Sequence, residues 1–200
     1  MPKRLPKSFY GSSDVVGLAR DLLGTRLVTR FHDQRTAGII VETEAYAGPV
    51  DKASHAYGGR RTARTEIMFA SGGRAYVYLC YGIYHLFNVV VGPEELPHAV
   101  LVRALEPTEG IAYMLQRCNK KKWAPALTNG PGKLTRALGI DKTHSGLSLL
   151  KGSPIWIEER SGPLADSEII ASPRIGVDYA GEDALLPYRF TLKNNLYVSR

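Results

Sequence analysis

The chain has 200 residues, of which 44% are hydrophobic and 22% are charged. These fractions match ordinary globular proteins, so they exclude a disordered tail, a collagen-like fibre and a coiled coil. The length suggests one domain. Two cysteines exclude a disulfide-dense secreted scaffold. No apolar run reaches the roughly 18 residues of a membrane span, and no signal-peptide pattern follows the basic amino terminus, so we expect a cytoplasmic protein.

The charge balance is basic, with 26 Lys and Arg against 19 Asp and Glu and a net charge of +7. Such a balance favours polyanionic partners, either a nucleic acid or an anionic membrane surface. Many basic proteins bind neither, so charge alone leaves this choice open.

Along the chain, residues 1–11 are predicted to form a loose basic arm and residues 12–200 a single domain without repeats or linkers. Ser12 or Ser13 is expected to cap a first helix over 14–23, which ends before a glycine. A second helix is expected to open at Pro107 and run to about residue 117. A third is expected over 133–138.

Short runs rich in Val, Ile, Leu and Tyr predict a largely antiparallel sheet. The predicted strands are 26–31, 37–46, 75–80, 85–91, 99–105, 154–159, 169–171, 188–192 and 196–198. With helices at the edges of this sheet, the fold class is a mixed α+β domain. Residues 47–73, rich in Gly, Ala, Arg and Ser, form a predicted loop long enough to indicate a functional role.

Several common chemistries have no motif here. The zinc deaminase pattern, metal-ligand spacing of His and Cys, the phosphate-binding P-loop and the dinucleotide fingerprint are all missing. Neither a metal site nor a nucleotide cofactor is therefore predicted. Residues 130–133, Gly-Pro-Gly-Lys before a helix, are compatible with a single phosphate site but equally typical of an ordinary turn.

Two carboxylates, Glu42 and Glu44, end a predicted strand, and their spacing places them on the same face together with Tyr46. Flanking apolar residues favour partial desolvation, which suits a general base. A solvated or ion-paired carboxylate pair is the alternative reading. Arg103 lies in an apolar run, and a buried arginine usually pairs with a carboxylate, so Glu42 or Glu44 is its expected partner.

Four tyrosines crowd a predicted hairpin: Tyr76, Tyr78, Tyr81 and Tyr84. Buried tyrosines each need a partner for the hydroxyl, whereas exposed tyrosines stack on nucleobases, and one at a hairpin tip can wedge into a duplex. Asn88, a polar residue in an otherwise apolar strand, also needs an explanation.

The segments VETEAYAGP, SHAYGGRRTAR, YVYLCYGIYHLFNV and LVRALEP, with MF at 68–69, resemble the alkyladenine (3-methyladenine) DNA glycosylase family in order and spacing. NGPGKL at 129–134 and RIGVDYAGE at 174–182 extend the match over nearly the whole chain. The resemblance implies a single domain with a curved antiparallel sheet and a protruding β-hairpin. It also implies that neither a metal nor an organic cofactor is used.

The resemblance also implies site roles. Glu44 matches the family's general base, which activates water, and Arg103 the residue that helps to hold that water. His55, Tyr46 and Tyr78 match the aromatic walls that stack the flipped base.

Two further roles follow from the same resemblance. Tyr81 matches the tyrosine that intercalates into DNA. Asn88 matches the side chain that crowds the 2-amino group of guanine. The implied reaction is hydrolysis of the N-glycosidic bond of an alkylated or deaminated purine, with a water nucleophile and no Schiff base.

The implied partner is double-stranded DNA containing a damaged purine, bound by a monomer in the nucleoid of a bacterium or the nucleus of a eukaryote. The residues predicted to contact the DNA backbone are Arg60, Lys133 and the run Lys120, Lys121 and Lys122. Residues 110–140, which include all four lysines, hold six basic side chains and no acidic one.

The sequence departs from the family where Arg64-Thr65 replaces Arg-Asn and in a longer connection at 92–97. The lesion therefore stays open among 3-methyladenine, 7-methylguanine, hypoxanthine and ethenoadenine. Two alternatives are a non-enzymatic module that binds damaged DNA or RNA, and a formyltransferase-like C-terminal module.

Overall fold

One long strand organises the sheet. The computed structural model describes residues 3–199, and within them the strands and helices are as follows. The strands are β1 Arg26–Phe31, β2 Gln34–Tyr46, β3 Arg74–Cys80, β4 Tyr84–Val91, β5 His98–Glu109, β6 Ile155–Glu158, β7 Ile169–Ser172 and β8 Arg189–Leu192. The α-helices are α1 Val15–Asp21, α2 Ile111–Cys118 and α3 Pro131–Leu138. The 3-10 helices are Lys7–Gly11, Gly48–Val50, Tyr57–Gly59, Glu66–Phe69, Pro125–Leu127, Lys142–His144, Asp166–Glu168 and Asp178–Leu185.

The sheet is antiparallel throughout these pairings, in the order β3-β4-β5-β2-β1-β6, and β8 joins both β2 and β7. The first part of β2 pairs with β1, whereas Glu42–Glu44 pair with β8. Against β5, the register of β2 shifts on both sides of Glu42. Such bulges bend a strand and redirect its side chains. The sheet curls strongly, and the predicted α+β fold is confirmed.

The helices cover the sheet and fill its core. Fully buried side chains from helix, strand and connecting segments meet there, among them Leu22, Phe87, Leu105 and Met114. Asp14 caps α1, since its Oδ1 accepts the N–H of Gly17 at 2.8 Å. The prediction that Ser12 or Ser13 caps this helix is therefore wrong.

Two other predicted elements differ from the structure. β5 continues through Pro107 to Glu109, so the predicted helix opening at Pro107 is wrong. A register shift against β2 lies beside this proline, where a missing N–H is tolerated. Helix α2 begins only after Gly110, whose φ of 71° and close packing on Arg35 exclude a side chain. The predicted strand at 196–198 is absent, and these residues form turns instead.

The amino-terminal residues pack against the sheet. The N–H of Leu5 donates to the carbonyl of Ile157 at 2.9 Å, and the N–H of Glu159 donates to the carbonyl of Lys3 at 2.8 Å. Leu5 and Tyr10 are buried. The expected looseness of the arm is thus wrong from residue 3 onward, because apolar burial and main-chain pairing hold it along β6. Residues 1 and 2 lie outside the described residues, and the domain limits at residue 12 stay a prediction.

An ion-pair group ties the β6 edge together, and we call it the edge cluster: Arg26, Arg35, Glu109, Trp156 and Glu158. Glu158 accepts from Arg35 Nη2 at 2.8 Å, Arg26 Nη1 at 3.1 Å and Trp156 Nε1 at 3.0 Å. Glu109 pairs with the same two arginines. The cluster joins three neighbouring strands and the end of β5.

The predicted long loop at 47–73 contains three short 3-10 helices and no strand. It packs onto the hairpin of β3 and β4 through a small apolar cluster that includes Ala56, Met68 and Tyr76. The loop is therefore anchored beside the hairpin. Among residues 3–199, no helix is both long and apolar enough to cross a membrane.

Candidate active site

A cavity of about 670 Å³ opens where the β3–β4 hairpin, the 47–73 loop, residues 129–133 and residues 175–179 meet. Its volume is in the usual range for a site that takes a small molecule or a single base. The predicted site residues on its wall are Tyr46, His55, Tyr78, Tyr81, Asn88, Arg103 and Lys133. The structure thus brings most of the predicted constellation together.

Glu44 lies behind this wall and is fully buried. Its Oε2 accepts from the hydroxyl of Tyr46 at 2.8 Å. Its Oε1 accepts from the N–H of Ile175 at 2.8 Å and lies 3.2 Å from Nη1 of Arg103. A carboxylate has about four acceptor positions. Three neighbours therefore orient Glu44 and leave one of its acceptor positions unpaired.

The two titratable partners of Glu44, Tyr46 and Arg103, have shifted pKa values. Burial and the neighbouring charge of Glu44 raise the pKa of Tyr46 well above its ordinary value, so its hydroxyl stays a donor. Burial alone would lower the pKa of Arg103, but the carboxylates Glu44 and Glu42 outweigh it and raise that pKa. Arg103 is therefore a fixed positive charge between two carboxylates.

Glu42 belongs to the same network, and we call this group the pocket cluster: Glu42, Glu44, Arg103, Arg189 and Ser199. Glu42 Oε1 accepts from Nε of Arg103 at 2.9 Å and from Nε of Arg189 at 2.7 Å. Ser199 adds its N–H at 2.7 Å and its hydroxyl at 2.8 Å. The predicted pairing of Arg103 with Glu42 or Glu44 is present with both.

Three aromatic rings stand against one another on the loop side of the cavity. His55 meets Tyr78 edge-on at 4.7 Å between ring centroids, and Tyr78 lies 5.4 Å from Tyr76. Nδ1 of His55 is 2.8 Å from the hydroxyl of Tyr76. Burial, reinforced by the charges of Arg64 and Arg60, lowers the pKa of His55 to about 4. The imidazole is accordingly neutral at physiological pH.

Arg64, which the sequence did not indicate, contacts all three rings. Its guanidinium carbon lies 4.7 Å from the centroid of Tyr78, and Nη2 is 2.7 Å from Nε2 of His55. Nε donates to the hydroxyl of Tyr76 at 3.3 Å. A cation on an aromatic face is a favourable contact. No pattern around residue 64 separates this arginine from its neighbours in a basic loop.

The side-chain amide of Asn88 is held by two main-chain carbonyls. Its Nδ2 donates to the carbonyl of Tyr76 at 3.1 Å and to that of Leu86 at 3.4 Å. These bonds orient the side chain at the cavity wall. Its role toward guanine stays a prediction.

The hairpin tip is exposed. Tyr81 is 89% exposed and Ile83 is 70% exposed. Tyr81 also has a φ of 51°, a left-handed conformation that is uncommon for a bulky residue. Neither packing nor an easy backbone conformation explains a tyrosine here, and such outliers concentrate at functional sites.

The predicted phosphate-binding residues are separated in space. Lys133 lines the cavity, and its Nζ donates to Oδ1 of Asn129 at 2.9 Å. Arg60 and the run 120–122 are exposed and lie off the cavity wall. Their contact with DNA stays a prediction.

A second residue that sequence reasoning missed is Arg174, which is buried beneath the site. It binds Asp51 through both Nη atoms, at 2.5 Å and 2.8 Å, and donates to the carbonyl of Ala45 at 2.9 Å. Its guanidinium carbon also lies 4.9 Å from the Tyr46 centroid. These contacts fix the residue before Ile175, whose N–H reaches Glu44. Among the described residues, no three His, Cys, Asp or Glu side chains are grouped to hold a metal ion.

Comparison with known proteins shows the family of this chain. A family model described as Methylpurine-DNA glycosylase (MPG) matches residues 8–196. A Bacillus cytotoxicus protein named "Putative 3-methyladenine DNA glycosylase" is 48% identical over 205 residues, covering 98% of this chain and all of that protein. Proteins of the same name from Bacillus cereus and Bacillus mycoides are 48% and 49% identical over 203 residues, each covering 98% of both chains. The resemblance noted in the sequence is confirmed: the chain belongs to the methylpurine-DNA glycosylase family, a family of hydrolases that act on N-glycosyl bonds.

Proposed function

We propose that this chain is a monofunctional DNA glycosylase that hydrolyses the N-glycosidic bond of an alkylated or deaminated purine, with Glu44 activating the water. The observation that carries the proposal is the buried Glu44 directly behind an aromatic cavity, oriented by three donors and with one acceptor position left. Solvated surface carboxylates have no such surroundings.

The cavity supplies the place for a base taken out of the duplex. A base inside the stack cannot be reached, so the nucleotide must rotate out at a cost of a few kcal/mol. Tyr46, His55 and Tyr78 offer ring faces and edges on which a purine can pack. N-alkylation gives the purine a positive charge, and cation–π attraction to such rings contributes about 0.5–2 kcal/mol. It also makes the base a better leaving group.

Hydrolysis then needs a water held against the sugar and a negative charge near it. Glu44 accepts the proton of that water as the bond to the base breaks, and its charge favours the oxocarbenium-like sugar, as in glycoside hydrolysis. Arg103 holds the carboxylate in place and balances its charge.

The surface around the cavity carries side chains that support binding of a duplex. The exposed Tyr81 replaces stacking lost when the nucleotide leaves, and Lys133 with the basic segment 120–122 neutralises phosphates. We propose a monomer on double-stranded DNA that contains the damaged purine.

The positions of the two lysines nearest to the site, Lys52 and Lys133, are compatible with water as the nucleophile. Lys52 is exposed, and its main-chain N–H is held by Asp183 at 2.8 Å. Lys133 reaches the cavity from the α3 side, where Asn129 binds its Nζ. We therefore propose no Schiff base, and borohydride added during turnover should trap no covalent complex with DNA.

A panel of duplexes tests the proposal. Each duplex carries one lesion (3-methyladenine, 7-methylguanine, hypoxanthine or ethenoadenine), and alkaline cleavage reports the abasic product. We expect cleavage of at least one methylpurine duplex and none of an undamaged duplex.

Tight binding of damaged duplex without any abasic product would instead establish the non-enzymatic module. That alternative gives no reason for a carboxylate close to phosphates, which weakens binding. The formyltransferase-like alternative gains nothing from the family match over residues 8–196.

A further inference from the structure

Glu42 is a fully buried carboxylate that the reaction above does not use. It accepts four hydrogen bonds, three on Oε1 and one on Oε2. Four donors therefore hold Glu42, with Oε1 fully engaged, whereas three neighbours hold Glu44. A buried charge is costly unless paired, and this one is paired on every side.

Arg103 connects Glu42 to the reaction. Nε of Arg103 binds Glu42 at 2.9 Å, and Nη1 of the same guanidinium lies 3.2 Å from Glu44. Because the guanidinium is planar and rigid, fixing Nε also fixes the direction of Nη1. The position of Glu42 therefore sets the position of the positive charge that faces Glu44.

Arg189 and Ser199 hold Glu42 from the opposite side. Arg189 binds Glu42 through Nε at 2.7 Å and donates from Nη2 to the carbonyl of Ser199 at 3.3 Å. Ser199 returns two hydrogen bonds to Glu42 and lies on the cavity wall. The three residues close a ring of contacts in which Ser199 is held by both of the others.

We infer that Glu42, clamped by Arg189 and Ser199, is a positioning residue that aligns Arg103 with Glu44 for hydrolysis. The inference rests on the proposed function, because it assigns Glu42 a task in that reaction. It predicts that changes at Glu42 and Ser199 slow bond cleavage while leaving the capture of DNA intact.

Ser199 offers the mildest test. Ser199→Ala removes the hydroxyl bond to Glu42 and keeps the N–H bond, whereas Ser199→Thr keeps both. A charge-assisted hydrogen bond of this kind corresponds to about a tenfold change in rate. We expect Ser199→Ala to lower single-turnover excision about tenfold and Ser199→Thr to restore it. The dissociation constant for a duplex with a tetrahydrofuran abasic-site analogue should not change in either variant.

Glu42→Gln is the stronger change. The side-chain NH₂ group of the glutamine cannot accept a hydrogen bond. In one orientation it faces the N–H of Ser199, and in the other it faces the three donors that bind Oε1, so Arg103 must shift. A displacement of about 1 Å in a reacting group can cost on the order of 10²-fold in rate. The matched control is Glu158→Gln in the edge cluster, another buried glutamate that accepts from two arginines. We expect the control to excise at the wild-type rate.

The outcomes separate this inference from the proposed function. No excision by the wild-type protein would overturn the function itself. Wild-type excision that Glu44→Gln abolishes, with Glu42→Gln and Ser199→Ala both unimpaired, would overturn only the positioning role. Slow excision by Ser199→Ala explained by weaker binding, or shared by Glu158→Gln, would overturn it as well. If Glu42→Gln fails to fold in a thermal melt, the Ser199 pair decides.

Discussion

The pocket cluster and the edge cluster use the same residue types on the same sheet. Each has a buried glutamate that accepts from two arginines, Glu42 in one and Glu158 in the other. Each also includes a second glutamate that shares an arginine with the first. Composition alone therefore does not distinguish them.

The surroundings of the two clusters distinguish them. The polar groups of the edge cluster satisfy one another, and its arginines are partly exposed beside the β6 edge. In the pocket cluster the second glutamate, Glu44, is fully buried and lies behind a cavity with one acceptor position left. Ion-pair networks shift pKa values wherever they occur, and a cleft beside such a network marks a candidate functional site. The cavity separates the reactive network from the structural one.

Replacing a buried glutamate in each cluster tests this difference most strongly. Glu44→Gln should lose excision by at least about 10²-fold, the contribution of a general base, and keep its binding to damaged duplex. Glu158→Gln should excise at the wild-type rate. Single-turnover assays with filter binding measure both. Near wild-type excision by Glu44→Gln would remove the distinction between the clusters.

Two sets of exposed lysines should also differ toward DNA. Replacing Lys120, Lys121 and Lys122 with Ala should weaken binding to damaged and undamaged duplex equally and flatten the salt dependence of binding. The slope should fall by up to about 0.9 for each phosphate that the variant no longer neutralises. The control replaces Lys3, Lys7 and Lys151, which are also exposed and lie off the cavity wall, and should leave the slope unchanged. Equal slopes in both triple variants would make the 120–122 run a solvated loop.

Stability should show the opposite order from activity. Glu158→Gln leaves an amide N–H facing an arginine, so a charge-assisted bond is lost and unfolding becomes easier by about 2 kcal/mol. In Glu44→Gln the new amide N–H faces the hydroxyl of Tyr46, which can accept it, and the destabilisation should be smaller. Urea unfolding followed by tryptophan fluorescence compares them. A larger destabilisation by Glu44→Gln would make the pocket cluster mainly structural.

The sequence predicts the pocket side better than the details around it. Period-two spacing places Glu42, Glu44 and Tyr46 on one face, and an arginine in an apolar run predicts the partner of both glutamates. The hairpin strands are within one residue of their predicted starts. These features depend on local periodicity and on the cost of burying charge, which a sequence carries directly.

Other features depend on contacts between distant segments. Ser199 reaches Glu42 across 157 positions, and Arg174 reaches Asp51 across 123. Neither residue has a local pattern that sets it apart. The strand through Pro107 escapes prediction for a related reason, since the bulge beside this proline exists only in the pairing of β5 with the distant strand β2.

A change at the hairpin tip should have a smaller effect on excision than the change at Glu44. Tyr81→Ser should change the free energy of unfolding by less than about 0.5 kcal/mol because the side chain is exposed. It should lower the flipped population about tenfold, since stacking is worth roughly 1–3 kcal/mol per base, with a larger decrease for hypoxanthine opposite cytosine than for a poorly paired lesion. A fluorescent base beside the lesion reports flipping.

Tyr113→Ser is the control for the hairpin tip, because Tyr113 is a part-exposed tyrosine on α2 away from the cavity. It should flip and excise like the wild type. If Tyr81→Ser also matches the wild type on both lesions, Ile83 or Tyr84 becomes the candidate wedge.

The smallest effect concerns the charge of the pocket itself. Burial and the positive charges of Arg64 and Arg60 lower the pKa of His55 to about 4, against about 6.5 in an unfolded chain. The folded state thus resists protonation at His55. Its contribution to stability is full above about pH 6.5 and is lost as the pH falls toward 4.

Nuclear magnetic resonance of the imidazole carbons measures this directly. The titration midpoint of His55 should lie near pH 4, and Arg64→Gln should raise its pKa because one of the two positive neighbours is gone. Glu158→Gln, in the distant edge cluster, should leave the titration unchanged, and so should Arg61→Gln, whose arginine pairs with Glu66 and Glu95 instead. A His55 that titrates near 6.5 in the wild type would show a hydrated ring. In that case the packed wall of His55 and Tyr78 would not be the surface that receives the base.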